Sequence, residues 1–320
     1  MKVRIVCYEG EQWILGKFAR KLNENLSLLG VDCSIGQEPT ADADVNHHII
    51  YIDFKGKRNS KVETLMITHV DNTMKLSQLI AQQNVYDKGV CMSRETMDKL
   101  QKAGIEPTKL TFINPAHDEH IKPRKLTIGI TSKTHTDGRK KEETLITVCK
   151  NISNEDFAFK IMGSGWTEIT TEMRTMGFDV DYFEEFDYDT YVDLIRNLDY
   201  YLYFSFDEGS MGFVDAVAAG VKTIVSPQGY HLDAQNAITH AVNNGEDIIS
   251  TLNNISRQRA IYTGSVSDWT WKQYAEKHLA LWTELLSHNE RGEINTPAAI
   301  HNPLQYLYRT KSFLKNIIKR

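Results

Sequence analysis

Apolar residues return along this chain in two alternating rhythms. Short unbroken apolar runs, the length of a buried strand, are separated by stretches in which apolar positions recur every three or four residues, the period of a helix. Residues 3–8 read as a strand, and Leu15, Phe18, Leu22, Leu26 and Leu29 as the buried stripe of a helix stopped at Gly30. Further strands are expected at 31–35, within 42–53, and at 64–69, 88–93 and 109–113, with Ser93 placed to cap a helix that ends at Gly104. Polar residues 118–125, which include Pro123, read as a linker. The alternation then restarts, with strands at 126–131, 157–162 and 178–183 and helices through Leu145 and Val148, over 169–176 and over 188–198. Later helices are expected over 231–242, stopped by Asn243-Asn244-Gly245, over 252–262, and through Trp271, Tyr274, His278, Leu281, Trp282 and Leu285, capped by Asp268 or Thr270. Strand and helix alternating twice over predict an α/β protein of two domains, 1–120 and 121–286, with a cleft between them and an extension at 287–320.

The densest candidate chemistry lies in residues 199–230, DYYLYFSFDEGSMGFVDAVAAGVKTIVSPQGY. An apolar strand runs into the acidic glycine turn Asp207-Glu208-Gly209-Ser210-Met211-Gly212, followed by a helix from Phe213 to Ala219, Gly220, and a strand at 221–225. This is a βαβ unit, and open parallel sheets bind ligands at the edge where such turns lie. The N–H groups of Gly212, Phe213 and Val214 would face outward as an anion site, with Gly209 and Gly212 letting a phosphate approach the backbone. Glu208 suits sugar hydroxyls and Asp215 a ribose, although a first-turn aspartate is also favoured by the helix dipole alone. Ser132, Lys133, Arg139 and Lys140 follow the first strand of domain two, either as partners of a diphosphate or as a solvated basic loop. Gly163-Ser164-Gly165 closes a strand and would frame a planar base. His69, with Asp71 and Asn72, ends a strand of domain one, as a sugar-facing group or an ordinary loop residue. Asp179 and Asp181, and Asp187 and Asp189, read as structure, and His47-His48 and His117/His120 lack the partners of a zinc site.

With 320 residues, a net charge of -5 and 41% hydrophobic residues, the chain has room for two cores and no basic block that points to nucleic acid. Cys7, Cys33, Cys91 and Cys149 are far apart beside apolar runs and read as buried thiols. A strand begins at once after Met1 and no run approaches the ~20 apolar residues of a membrane span, so a cytoplasmic location is the default. In residues 304–320, LQYLYRTKSFLKNIIKR, basic and apolar positions interleave. Such a helix either lies on an anionic membrane surface, making the protein peripheral at an inner membrane face, or packs back on the body.

Residues 215–220, Asp-Ala-Val-Ala-Ala-Gly, match the second half of the donor motif of the retaining family 4 glycosyltransferases, in which Glu, seven residues and a second Glu precede Ala-x-Ala-x-Gly. Here Asp replaces the second Glu. Eight positions earlier stands Asp207, while the acid-Gly-x-x-Gly pattern points to Glu208, so both remain candidates for the first acid. Phe159 to Gly165 resembles the strand and Gly-x-Gly beside the donor base, Lys140 the phosphate-binding lysine, and Ile67-Thr68-His69 the strand whose histidine faces the sugar. Ile128-Gly129-Ile130 resembles a Val-Gly-Arg strand end without its arginine, leaving the diphosphate to Arg139, Lys140 or Lys133. The similarity covers residues 1–286. It implies the GT-B architecture, two Rossmann-like domains facing across a cleft, and transfer of a sugar such as a hexose from a nucleotide-diphosphate sugar to a glycan, lipid-linked or protein acceptor held mainly on domain one. It further implies retention at the anomeric carbon, a phosphate that takes the acceptor proton, and no metal or other cofactor. His69, Glu208 or Asp207, and Lys140 would then be catalytic. Arg139, Lys133, Gly163, Ser164, Gly209, Ser210, Met211, Gly212 and Asp215 would bind the donor. A sugar-nucleotide epimerase or phosphorylase on the same scaffold, or a degenerate binding subunit, are the competing readings.

Overall fold

Parallel strands buried on both faces need unbroken apolar runs, and the helices between them need one apolar stripe each. Most of each pattern folds as the periodicity predicts, with exceptions at Thr73–Gln82, within 42–53 and over 231–242. The computed structural model describes residues 1–290 apart from Glu11, Thr136, Lys140 and Gln235, so the basic tail at 304–320 lies outside the described residues. The described residues form two α/β units, 1–121 with 266–290, and 122–265.

Unit 1 begins with β1 (Lys2–Val6), α1 (Ile14–Leu28), β2 (Asp32–Gly36), β3 (Val45–His48) and β4 (Val62–Ile67). It continues with α2 (Thr73–Gln82), β5 (Lys88–Cys91), α3 (Arg94–Lys102) and β6 (Leu110–Phe112). All six strands are parallel, in the order β2-β1-β3-β4-β5-β6. Gly30, at φ +78°, turns the chain out of α1 in a conformation that costs glycine little. Ser93 Oγ accepts from the Thr96 N–H at 3.1 Å, as expected of a cap. Helix α2 had no expected counterpart; the Asn72 side chain caps it by accepting from the Lys75 N–H at 3.0 Å. Of the strand expected within 42–53 only four residues pair, because the chain turns into a 3₁₀ helix at Tyr51–Asp53.

Unit 2 contains β7 (Leu126–Thr131), α4 (Thr144–Cys149), β8 (Phe157–Met162), α5 (Thr167–Thr175), β9 (Asp179–Phe183) and α6 (Tyr188–Arg196). Then come β10 (Tyr200–Tyr203), α7 (Met211–Ala218), β11 (Lys222–Val225), β12 (His240–Ala241) and α8 (Gly245–Gly264). This sheet is also parallel and six-stranded, in the order β12-β11-β10-β7-β8-β9. The helix expected over 231–242 is not formed. Residues 236–239 lead back to the sheet, where Thr223 Oγ1 donates to the Ala237 carbonyl (2.6 Å) and accepts from the Thr239 N–H (2.9 Å), setting β12 against β11. Asn244, expected to stop that helix, starts the next one by accepting from the Asp247 N–H at 2.9 Å.

The long helix α9 (Trp271–Glu290), the last among the described residues, belongs to unit 1, which departs from the expected domain limit at 286. Thr270 caps it, accepting from the Gln273 N–H at 3.2 Å. Its aromatic face packs on α1, with Phe18 5.2 Å from the Trp271 ring and 5.7 Å from Tyr274. Trp282, fully buried, donates through Nε1 to Thr64 Oγ1 of β4 at 3.1 Å. Asp118, in the expected linker, is fastened between Lys17 (2.6 Å) and Trp271 Nε1 (3.1 Å). Cys7, Cys91 and Cys149 are buried free thiols as expected, and Cys33 is half-buried.

Candidate functional site

In both sheets the chain starts at a central strand, lays strands to one side, then crosses to the other. In unit 2 the two directions part between β7 and β10, and the C-terminal ends of such a pair are where an open sheet leaves room for a ligand. The segments that leave those strands carry most of the donor-site residues singled out from the sequence.

The turn after β10 is built around Asp207. Its carboxylate accepts from Tyr203 Oη (2.9 and 2.7 Å), the Gly209 N–H (3.1 Å) and Gln228 Nε2 (3.3 Å). Burial, with the Asp207 carboxylate close by, raises the Tyr203 phenol above its usual range. Glu208 is different. Its side chain is exposed and its carboxylate has no hydrogen-bond partner among the described residues. Its carbonyl accepts from the Tyr230 N–H at 3.2 Å, an approach allowed by Gly229 at φ +45°, where an added Cβ would stand 2.2 Å from that oxygen.

Helix α7 starts at Met211, two residues before the expected Phe213, so the donors at its tip change. The N–H groups of Met211 and Gly212 are the first of the helix and have no acceptor within it. The Phe213 N–H is taken by the Ser210 carbonyl at 3.0 Å. Ser210, expected at the ligand, is buried: its N–H donates to His231 Nε2 (3.0 Å) and its Oγ lies 2.6 Å from Tyr201 Oη. Tyr201 also meets Thr131 Oγ1 at 2.9 Å, and burial pushes its phenol up to about 12. The two glycines serve the protein's own packing. A Cβ on Gly212 would come 2.1 Å from Thr131 Oγ1, and one on Gly209 2.8 Å from Tyr230. Asp215 is exposed on α7 and accepts a hydrogen bond from Tyr191 Oη of α6; burial, then this bond, raises the Tyr191 phenol.

Facing this turn is the loop between β7 and α4. The Phe206 N–H donates to the Arg139 carbonyl at 3.0 Å, joining the two loops. The Arg139 guanidinium is exposed, 2.9 Å from His135 Nδ1 and 3.3 Å from Asp137. Lys133 is exposed, with no partner among the described residues; Lys140 falls outside them. Gly163 (φ +134°) and Gly165 (φ +95°) pack under the same loop, where Cβ atoms would meet the Ser132 carbonyl at 2.4 Å and Thr134 Oγ1 at 1.9 Å. Ser164 is exposed, its carbonyl accepting from the Thr134 N–H at 3.0 Å. Beneath, between Lys141, Glu142, Trp166 and Phe204, is a cavity of about 40 Å³, room for a water but not for a base.

Two residues here escaped the sequence reading. His231, fully buried, holds the turn: it takes the Ser210 N–H on Nε2 and contacts the Ser226 carbonyl through Nδ1 at 3.0 Å. Nothing in its local pattern marks it. Lys141 is spaced like its neighbour Lys140, and its Nζ lies 3.4 and 4.1 Å from the Phe206 and Phe204 ring centres; burial lowers its pKa.

His69 belongs to unit 1. Its ring is largely exposed past β4, 3.3 Å from Lys75 Nζ and 3.6 Å from Asp71. Among the described residues no cluster of three or more His, Cys, Asp or Glu is arranged for a metal, and no helix is long and apolar enough to cross a membrane.

No protein-family model and no curated protein matches the chain. Among solved structures it is similar to Anabaena Alr3699/HepE, in complex with UDP-glucose, at 10% identity over 92% of this chain and 100% of that one, with a TM-score of 0.35. It is similar to the lipopolysaccharide outer core galactosyltransferase WaaB at 12% identity over 92% and 100% of the two chains, TM-score 0.36. WaaG, a glycosyltransferase of lipopolysaccharide biosynthesis, follows at 14% over 91% and 98%, TM-score 0.34. At these identities and scores the activity of those proteins does not transfer to this chain, whose two parallel α/β units are established by its own strand order.

Proposed function

We propose that unit 2 binds a nucleoside-diphosphate sugar at the C-terminal edge of its sheet and that the protein transfers the sugar to a hydroxyl of a glycan, lipid-linked or protein acceptor. One juxtaposition carries the reading. The start of α7, the unengaged carboxylate of Glu208 and the exposed carboxylate of Asp215 share one strand-turn-helix segment, which is tied to the basic loop holding Lys133 and Arg139.

That set matches the parts of such a donor. The diphosphate needs fixed positive ends, and the Met211 and Gly212 N–H groups with Arg139 and Lys133 supply them; Lys140, carried over from the resemblance, would add another. These groups act most strongly as the bond from the anomeric carbon to phosphate oxygen breaks and its electron pair stays on the leaving phosphate. Glu208 would hold sugar hydroxyls and Asp215 the ribose. Asp207, engaged on both oxygens, suits the part of turn anchor, which favours Glu208 for the first acid. The acceptor oxygen forms the new bond to the anomeric carbon, and its proton passes to the departing phosphate if the reaction retains configuration, as the resemblance implies. His69 is proposed as a hydrogen-bond donor to the sugar.

A donor screen with UDP-, GDP- and ADP-sugars, reading nucleoside diphosphate released with and without acceptors, tests this. Release that depends on acceptor is the expected result. Release without acceptor dependence, or no donor bound at all, would overturn transfer and point to the epimerase or binding-subunit reading.

A further inference from the structure

Unit 2 has a further opening, at the end of its sheet away from the donor turn. Leu126, Tyr200, Lys222 and His240 are the first residues of β7, β10, β11 and β12, four strands that lie side by side. They form one wall of a groove of about 730 Å³. The other wall is α8, which buries Ile248 and Leu252 against the core. Its groove-lining face, Thr251, Asn254, Ile255, Gln258, Arg259 and Tyr262, repeats at the helical period but holds a single aliphatic side chain. A stripe that served the core alone would be aliphatic; this one offers hydroxyl, amide, guanidinium and phenol groups.

Charge in the groove is of one sign. Among the described residues no carboxylate lines it, and the exposed Lys222 has no carboxylate partner. The Arg259 guanidinium donates through one nitrogen to the Arg124 carbonyl, leaving its other N–H groups without an acceptor among the described residues. Arg124 is itself taken by Asp199, at 2.6 and 2.7 Å. Burial, then the charge of Lys222, lowers the His240 imidazole, as positive potential would. Tyr200 stands among these groups, its ring centre 5.9 Å from Lys222 Nζ and 6.0 Å from the His240 ring. It is only 7% exposed, yet its hydroxyl has no hydrogen-bond partner among the described residues. A phenol so nearly buried ordinarily meets an acceptor, and here the acceptor would have to come from a ligand.

The two walls call for a ligand of two parts. At the strand starts, the cations and the Tyr200 hydroxyl suit a phosphate. On α8, the amides and Thr251 suit hydroxyl groups, and Tyr262, 66% exposed, offers a ring face. The volume falls within the roughly 300–1,000 Å³ of small-molecule sites. We propose that the groove binds a sugar phosphate, its phosphate held by Lys222, Arg259 and Tyr200 and its hydroxyls by Asn254 and Gln258. The groove and the donor turn stand at opposite ends of β10, so this ligand can be bound whatever occupies the other edge.

Isothermal titration calorimetry on the full chain, with glucose 6-phosphate, ribose 5-phosphate, inorganic phosphate, glucose and hexaglutamate as probes, tests this, with the ring signals of His240 followed by NMR. A sugar phosphate is expected to bind about tenfold more tightly than inorganic phosphate or glucose, to shift the His240 signals and to resist displacement by UDP. Lys222→Ala should weaken it about tenfold and Gln258→Ala about fivefold, both at exposed positions whose loss leaves the fold intact. Failure of both sugar phosphates to bind would overturn the site, as would binding that ignores Lys222→Ala or is lost to UDP. Inorganic phosphate bound as tightly as either sugar phosphate would overturn the sugar assignment. Tighter binding of hexaglutamate would overturn the proposal in favour of a dock for acidic protein segments.

Discussion

Neighbouring carboxylates in one turn have opposite situations, and that makes them separable. Asp207 accepts hydrogen bonds from Tyr203, Gly209 and Gln228, so Asp207→Ala should loosen the turn and lower the thermal midpoint along with activity. Glu208 has no such ties, so Glu208→Ala should leave the midpoint unchanged and reduce kcat about 100-fold or more, a loss typical of groups that act on developing charge. Near-normal turnover in Glu208→Ala would remove it from the site. A second contrast concerns protons. The ring of His47, on β3, meets that of His278, on α9, edge to face at 5.0 Å. Burial lowers both, His278 from 6.5 to about 4 against the opposing pull of the Tyr274 carbonyl. The unfolded chain protonates His278 as the pH falls through 6.5, and the folded chain does so only near 4. Stability therefore falls with decreasing pH across that window, by on the order of 3 kcal/mol for this histidine, and is recovered as the pH rises. Thermal midpoints measured from pH 7 to 4 should show the slope, and His278→Phe should flatten it.

The elements were legible where hydrophobic period and punctuation agreed. Strands β7 and β8 were found to the residue, and α1 and α3 nearly so, because Gly30, Ser93 and Gly104 mark their ends. Misreadings arose where one residue type serves two roles. Asn244 beside Gly245 looks like a helix stop, yet asparagine caps starts equally well, and only the pairing of β12 beside β11 decides between them. Asn244→Ala should cost about 1 kcal/mol, read from chemical denaturation. The site was legible as a set of loops but not in its inward and outward directions: Ser210 and Gly212 looked ligand-facing and are packed against Tyr201 and Thr131. Gly212→Ala should therefore destabilise unit 2 by about 1–3 kcal/mol through overpacking, visible in the thermal midpoint before any ligand is added. His231 was invisible for a related reason, since its partners Ser210 and Ser226 are joined only by the fold.

At the scale of the molecule, unit 1 is made from two separated pieces of chain, and unit 2 is continuous between them. A fragment of residues 122–265 should fold alone with a cooperative thermal transition. Residues 1–121 should not, because Trp271, Tyr274 and Trp282 fill the space against α1 and β4. Supplying a peptide of residues 266–290 should restore hydrogen-exchange protection to β4, and Trp282→Ala in the full chain should cost about 3–5 kcal/mol. The interruption also has a consequence in time. Once Ile121 has emerged from the ribosome, about 150 residues must be made before Trp271 appears, roughly 8–30 s at bacterial and eukaryotic rates of synthesis. Throughout that interval the apolar flank of Phe18 and Leu22 lacks its cover while the inserted unit can already complete itself. The half-built unit 1 is then the species that a nascent-chain chaperone would hold, and α9 is the helix that releases it.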